Sequence, residues 1–204
     1  LLIRSGNVNA VKKEMEEFFY RLNTYKSKLD IVRTLCVELY IFIIRQGNTD
    51  NLNEYMKQVV ELQTIDTISK MFAFISSIAI EITEANYKRT VQKNSKTIQE
   101  VLNAIENNIG DDELSLSKIA DQIVYMNVDY LGKLFKKEVG ENFSQYLMNA
   151  RIEKAKQLLS QDDCCKISDV AEKVGYGNNP QYFSQVFKKA TGYTPSEYRK
   201  MIKY

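Results

Sequence analysis

The sequence predicts an all-α chain, and three observations carry that expectation. Only two prolines and eight glycines interrupt 204 residues, so turns are few. Apolar residues recur at steps of three and four, the spacing of one helix face, and strand-like alternation is hard to find. One segment, with two short helical patterns and a turn between them, occurs twice.

The opening Leu1–Asn7 reads as the last turn of a helix closed by Gly6. The chain does not begin with Met, so a fragment lacking its N-terminal part is expected. Asn9–Asn23 follows as a helix with Val11, Met15, Phe18, Phe19 and Leu22 inward. Lys28–Arg45 is another, on Leu29, Val32, Cys36, Leu39 and Ile43, closed by Gly47. Asp50 caps a helix that runs to Leu62. Ile65–Gln92 is long, and its Ile65, Ile68, Phe72, Ile75, Ala79 and Ile82 form one seam. That seam suits the inside of a small helical bundle. It also suits a short coiled coil, so a homodimer through Ile65–Ile82 stays open. Tyr87–Lys96 is polar and basic, a continuous helix or a hinge. The expected domains are 1–94, a helical regulatory or dimerisation segment, and 95–204.

In the second half Thr97–Ile109 is helical. Ser115 caps a helix that runs to about Val124, and Asn127 caps one that runs to Glu138 and ends at Gly140. Asn142–Gln145 has a capping-box arrangement and opens a helix over Phe143–Ser160, ~27 Å long at roughly 1.5 Å per residue. Ile167–Val174 is short and amphipathic and stops at Gly175. Asn179-Pro180 opens the next helix, with Phe183, Val186, Phe187 and Ala190 inward, and Gly192 ends it. Thr194-Pro195-Ser196-Glu197 opens the last with a Thr cap and a capping-box Glu.

The repeat is internal to the chain. Tyr130, Phe135, Lys136, Lys137, Gly140, Ser144 and Tyr146 recur 52 places on, at Tyr182, Phe187, Lys188, Lys189, Gly192, Ser196 and Tyr198. Upstream the offset is 51: Ile119-Ala120 matches Val170-Ala171, and Tyr125 matches Tyr176. The second copy thus holds one extra turn residue within Gly177–Pro180.

Composition bounds the function. Hydrophobic residues make up 44% and charged residues 26%, which marks a globular chain rather than a disordered one. No stretch is long and apolar enough to span a bilayer, and no signal peptide is expected in these residues. Three cysteines without a CxxC, two of them the adjacent Cys164-Cys165, suit a reducing cytoplasm. The absence of histidine excludes His-based proton transfer and disfavours zinc, so no metal or cofactor is expected. Residues 1–96 carry 14 basic and 11 acidic groups; residues 97–204 carry 14 basic and 15 acidic ones. The second half is therefore not basic in sum. Its acids cluster at Asp111-Asp112-Glu113 and Asp162-Asp163, expected at helix ends away from the repeated helices. Lys133, Lys136, Lys137, Lys188 and Lys189 lie on those helices.

Two short helices joined by a brief Gly-containing turn, the second with Gln181, Ser184, Gln185 and Lys188 outward, form the pattern of a helix-turn-helix DNA reader. The units span about 115–138 and 167–191, with a bridge at about 143–160. The bridge length approaches the ~34 Å between successive major grooves on one face of a duplex. Lys133 suits guanine O6 and N7, and Gln181 and Gln185 suit adenine N6 and N7. Lys136, Lys137, Lys188 and Lys189 suit phosphates, although Lys137 and Lys189 also simply suit a helix C-terminus. Ser117 and Thr194, near helix starts, are candidates for phosphate contacts. Arg151 and Lys154 on the bridge either touch the DNA backbone or are solvated or paired with Glu153.

The pieces SLSKIADQI, YLGKLFKKEVGENFSQYL, RIEKAKQLL, ISDVAEKVGY, YFSQVFKK and TGYTPSEYR closely resemble the C-terminal domain of the AraC/XylS transcription regulators. They cover roughly Ile98 to Tyr204. The spacing NVDYLGKLFKKE looks most like the YesN-type response-regulator branch. The resemblance implies two helix-turn-helix units bridged by one helix and binding double-stranded promoter DNA, with RNA polymerase as a partner. It implies base contacts from Asp129, Gly132 and Lys133 on the first reading helix and from Pro180, Gln181 and Gln185 on the second. The extra turn residue adds Asn178 and Asn179. Asp129 accepts from cytosine N4 or merely favours the helix N-terminus. A regulator, an activator in the cytoplasm with its sensory or receiver part upstream, is the first reading. A helical interaction adaptor is the second. A DNA alkyl-transfer repair protein using a cysteine is the third, and Cys36 on an apolar helix face argues against it.

Overall fold

Each helical stretch begins and ends where local chemistry dictates. The computed structural model describes residues 2–24, 29–48, 51–161 and 166–202. Helix is the only regular structure among them, and the chain divides into two compact units, Leu1–Lys93 and Asn94–Tyr204.

The first unit holds α1 (Leu2–Ser5), α2 (Val8–Thr24), α3 (Leu29–Ile44), α4 (Leu52–Thr64) and the first part of α5 (Ile68–Asn107). Residues 87–96 are helical and belong to α5. Asn51 occupies the α4 N-cap with no side-chain cap bond, and Asp50 lies outside the described residues. The core gathers Val11, Met15 and Phe19 of α2, Val32, Cys36, Tyr40 and Ile43 of α3, and Leu62 of α4. Met71, Ile75, Ile78, Ala79 and Ile82 of α5 complete it, with Ile65, Ile68 and Phe72 packed against it. Ile75, Ala79 and Ile82 of the seam thus lie inside their own bundle, while Ile65, Ile68 and Phe72 are half-buried against it. Asn86 closes the bundle at one end: its amide donates to the carbonyls of Ile3 (3.2 Å) and Gln46 (3.1 Å), near the ends of α1 and α3. Such groups have no partner inside their own helices.

The second unit continues α5 and adds α6 (Leu116–Ile119), a π-helical turn (Ala120–Val124), α7 (Val128–Val139), α8 (Phe143–Gln161), α9 (Ile167–Lys173), α10 (Pro180–Thr191) and α11 (Pro195–Met201). Two hydrophobic clusters lie side by side along α8. One joins Ile98, Val101 and Ile105 to Ile119, Leu131, Phe135 and Leu147. The other joins Ile152, Ala155 and Leu159 to Val170, Val174, Phe183 and Phe187. The bridging helix thus serves one core with its first half and the other with its second. Ala190, expected inward, is exposed in the last turn of α10, where Phe187 already fills the core.

Ile75 is fully buried in α5. Ile75→Ala should lower unfolding free energy by about 2–5 kcal/mol in urea titrations. The loss should be the same at low and high protein concentration, because the side chain packs within one chain.

Candidate nucleic-acid interface

The 52-residue offset persists in three dimensions. α7 and α10 are both twelve residues long and start and stop 52 places apart. Asn127 Oδ1 accepts from the amides of Asp129 and Tyr130 at 3.0 and 3.1 Å, and Asn179 Oδ1 accepts from that of Tyr182 at 3.0 Å. At the other ends Gly140 (φ 95°) and Gly192 (φ 84°) adopt the left-handed cap that a side chain would strain. Leu131, Leu134 and Phe135 point inward from α7, as do Phe183, Val186 and Phe187 from α10. Phe135 meets Tyr146 edge-on at 5.6 Å, and Phe187 meets Tyr198 edge-on at 5.4 Å. Each helix is therefore pinned by one face, with the other released to solvent.

The turns before these helices differ, for a physical reason. In the second unit Gly175 takes φ 77° and the Tyr176 amide donates to Ala171 O at 2.8 Å. In the first, Val124 stands at the position matching Gly175 and cannot do this cheaply. The helix widens into a π turn, and the left-handed residue moves one place on, to Tyr125 (φ 51°). Tyr125 still donates to the matching carbonyl, that of Ala120, and its ring is 81% exposed. The helix capped by Ser115 is thus one α turn followed by a π turn. The extra residue of the second copy lies between Tyr176 and the Asn179 cap, in a turn closed by Asn179 N–H to Tyr176 O at 3.0 Å.

Lys133, Lys136 and Asp129 are exposed on the outer face of α7, with Gly132 half-buried between them. Gln181, Gln185 and Lys188 are exposed on α10, as are Lys137 and Lys189 at the two C-terminal turns. An open groove in this unit is lined by Asp129, Gly132, Lys133 and Lys136 of α7, by Ser144 of α8 and by Tyr182 of α10. The outer face of the first reading helix and the first turn of the second therefore open on one concavity. Tyr182, half exposed beside Gln181, was not among the residues singled out from the sequence. Its position between the inward Phe183 and the outward Gln181 was the available signal.

Several candidates are already occupied. Asn179 Oδ1 already accepts the cap bond from the Tyr182 amide. Pro180 has no hydrogen-bonding side chain and offers only an apolar surface. The Asn178 amide donates to the Asp112 carboxylate. Thr194 donates its hydroxyl and its amide to Glu197 Oε2, both at 2.8 Å, so neither is left for a phosphate. Those bonds also hold the Glu197 carboxyl below its usual range. Ser117 is exposed, with its hydroxyl 3.5 Å from Asp121 Oδ2.

Arg151 lines the same groove but is largely buried. It is not paired with Glu153, which bonds Lys156 at 2.6 Å. It is 7% exposed and donates to the carbonyls of Ile109 (3.3 Å) and Asp111 (2.6 Å). The acidic segment that it meets contacts α6 and the turn before α10. Asp111 pairs with Lys118 at 2.8 Å, and the Lys118 hydrogen bond holds the Asp111 carboxyl below its ordinary value. Asp162, Asp163, Cys164 and Cys165 lie outside the described residues.

Residues 122–201 match the family model described as a helix-turn-helix domain. The arabinose operon regulatory protein of Escherichia coli is 33% identical over 102 residues, covering 50% of this chain and 34% of that protein. The C-terminal half of the chain is an AraC-type helix-turn-helix domain. The AraC-type domain is also 46% identical over 106 residues to the uncharacterised transcriptional regulatory protein YesN of Bacillus subtilis, covering 52% of this chain and 29% of that one. The uncharacterised HTH-type regulator YtdP of Bacillus subtilis is 31% identical over 187 residues, covering 89% of this chain and 23% of its own length. The chain spans about a quarter to a third of the length of these relatives.

A Cβ at Gly132 would touch only Leu116 Cδ2, at 3.4 Å. Gly132→Ala is expected to raise stability by up to about 1 kcal/mol in urea unfolding. It should weaken duplex binding in a retardation assay, because a methyl group would hold the α7 backbone away from DNA.

Proposed function

We propose that the chain is part of a sequence-specific, double-stranded-DNA-binding transcription regulator that reads two successive major grooves with α7 and α10. One observation carries the reading. Two helices with the same caps and the same inward faces keep the remaining polar faces, Asp129, Lys133 and Lys136 on one and Gln181, Gln185 and Lys188 on the other, exposed and outside the core. α8, with nineteen residues, is ~28 Å long, and a bridge of that length suits two reading helices set about one duplex turn apart.

On this reading Lys133 donates to guanine, and Gln181 and Gln185 fork onto adenine. Lys136, Lys137, Lys188 and Lys189 meet phosphates, with Ser117 a lesser contact. Asp129 either accepts from cytosine or stabilises the α7 N-terminus. With 15 acids against 14 bases in residues 97–204, non-specific affinity is modest and falls steeply with salt. Activation through RNA polymerase, control by an upstream receiver or sensory module and a cytoplasmic location complete the proposal; the resemblance to AraC/XylS regulators supports them. The proposed protein is not an enzyme. Cys36, the one described cysteine, is fully buried, and burial pushes its thiol up to about 11, which keeps it neutral and a poor alkyl acceptor. Among the described residues no helix is long and apolar enough to cross a membrane.

Selection of bound duplexes from a random pool at stated salt tests this. A two-part consensus is expected. Gln181→Ala with Gln185→Ala should then cost about 1–3 kcal/mol on the selected site and little on random DNA. No enrichment, or equal losses on both, would favour the adaptor reading.

A further inference from the structure

The DNA-binding surface leaves one charged group of the unit unexplained. Arg151 sits midway along the bridging helix on its inward stripe, in step with Leu147, Ala155 and Leu159, which are all buried. Burying a guanidinium costs several kcal/mol unless its protons find acceptors. Here Nε reaches Ile109 O at 3.3 Å and Nη2 reaches Asp111 O at 2.6 Å. Both carbonyls lie just past the end of α5, where a cation is favoured. The guanidinium carbon also stands 5.2 Å from the centre of the Tyr176 ring, within range of a cation–π contact.

These three partners belong to different parts of the unit. Ile109 and Asp111 lie in the segment that leads into the first helix-turn-helix, and Asp111 is tied to Lys118 of α6. Tyr176 lies in the turn of the second, and its ring packs on Phe183 of α10 at 5.7 Å. Gly175, buried beside it, has no room for a side chain: a Cβ there would fall 2.5 Å from Arg151 Nη2 and 2.8 Å from Ile109 O. Gly110 lies as close to the second helix-turn-helix, its Cβ position 3.0 Å from Lys173 O. Asn178 donates across the same junction to Asp112. The two hydrophobic clusters lie side by side on α8. Polar contacts at Arg151 add a second tie between the two helix-turn-helix units.

We propose that Arg151 is a positioning residue that locks the second helix-turn-helix onto the first and so sets the spacing and rotation at which α7 and α10 meet DNA. The proposal rests on the DNA-reading function above. Two linked binding modules gain affinity only where their geometry lets both engage at once. A rigid junction therefore favours one spacing of half-sites. A loosened junction accepts several and binds each less well.

The test uses the full chain and the two-part site obtained by selection, alongside the same site with two base pairs inserted between its halves. The insertion moves one half by about 7 Å and turns it by about 70°. The wild-type chain is expected to prefer the unaltered site by about 100-fold or more, and Arg151→Met by less than about tenfold. A smaller folded fraction would weaken both sites equally and leave that ratio unchanged, so the ratio separates positioning from stability. An unaltered ratio in Arg151→Met overturns the proposal. If circular dichroism shows Arg151→Met unfolded, Tyr176→Leu, which removes the aromatic face and keeps an apolar side chain, is read by the same ratio and decides. A wild-type chain that enriches no duplex defeats the DNA-reading function itself, whereas a spacing preference kept by the variant defeats only the role of Arg151.

Discussion

One buried guanidinium holds the second unit in a single arrangement. Arg151 accounts for features that look unrelated along the chain: the glycine at position 175, the aromatic ring at 176 and the carbonyl-rich segment after α5. A hydrophobic contact at this place would pack without direction. A guanidinium with its protons on two fixed carbonyls and a ring in cation–π range tolerates little displacement, because any shift leaves a buried donor unpaired. The same logic explains why the acids of Asp111 and Asp112 are compatible with a DNA-binding unit. Asp111 binds Lys118 of α6, and Asp112 accepts from Asn178 across the junction, instead of standing on the reading faces.

Around that junction the two copies divide their labour through small differences. The first has Gly132 and Lys133 where the second has Ser184 and Gln185. Its outer face thus has less side-chain surface and more charge, which suits holding the backbone. The second presents two amides, which suit a base edge. The turns differ too: a glycine makes the second, while a π turn and a left-handed tyrosine make the first. That leaves Tyr125 exposed, whereas its counterpart Tyr176 packs beneath α10.

Much of this was legible in the residues, because helix caps are local chemistry. Asn127, Gly140, Thr194 and Gly192 mark helix ends through bonds that involve only near neighbours, and the repeat survives folding with its register intact. What the residues alone left open depended on distant partners. Arg151 carries a charge, and charges are read as surface, although its spacing of four from Leu147 and from Ala155 placed it on the inward stripe. The Ile65–Ile82 seam has one periodicity for two uses, and only the neighbours α2 and α3 decide that it faces its own bundle. Asn179 and Thr194 are residue types that suit both a helix cap and a DNA contact, and in the fold each makes its cap bond. The π turn has no signature in composition, since it follows from what Val124 cannot do.

The central claim is that α7 and α10 occupy neighbouring grooves on one side of a duplex. Hydroxyl-radical footprinting of the wild-type chain on its selected site tests it most directly. Two protected patches about ten base pairs apart on one face of the DNA are expected. A single patch, or two patches on opposite faces, would contradict it.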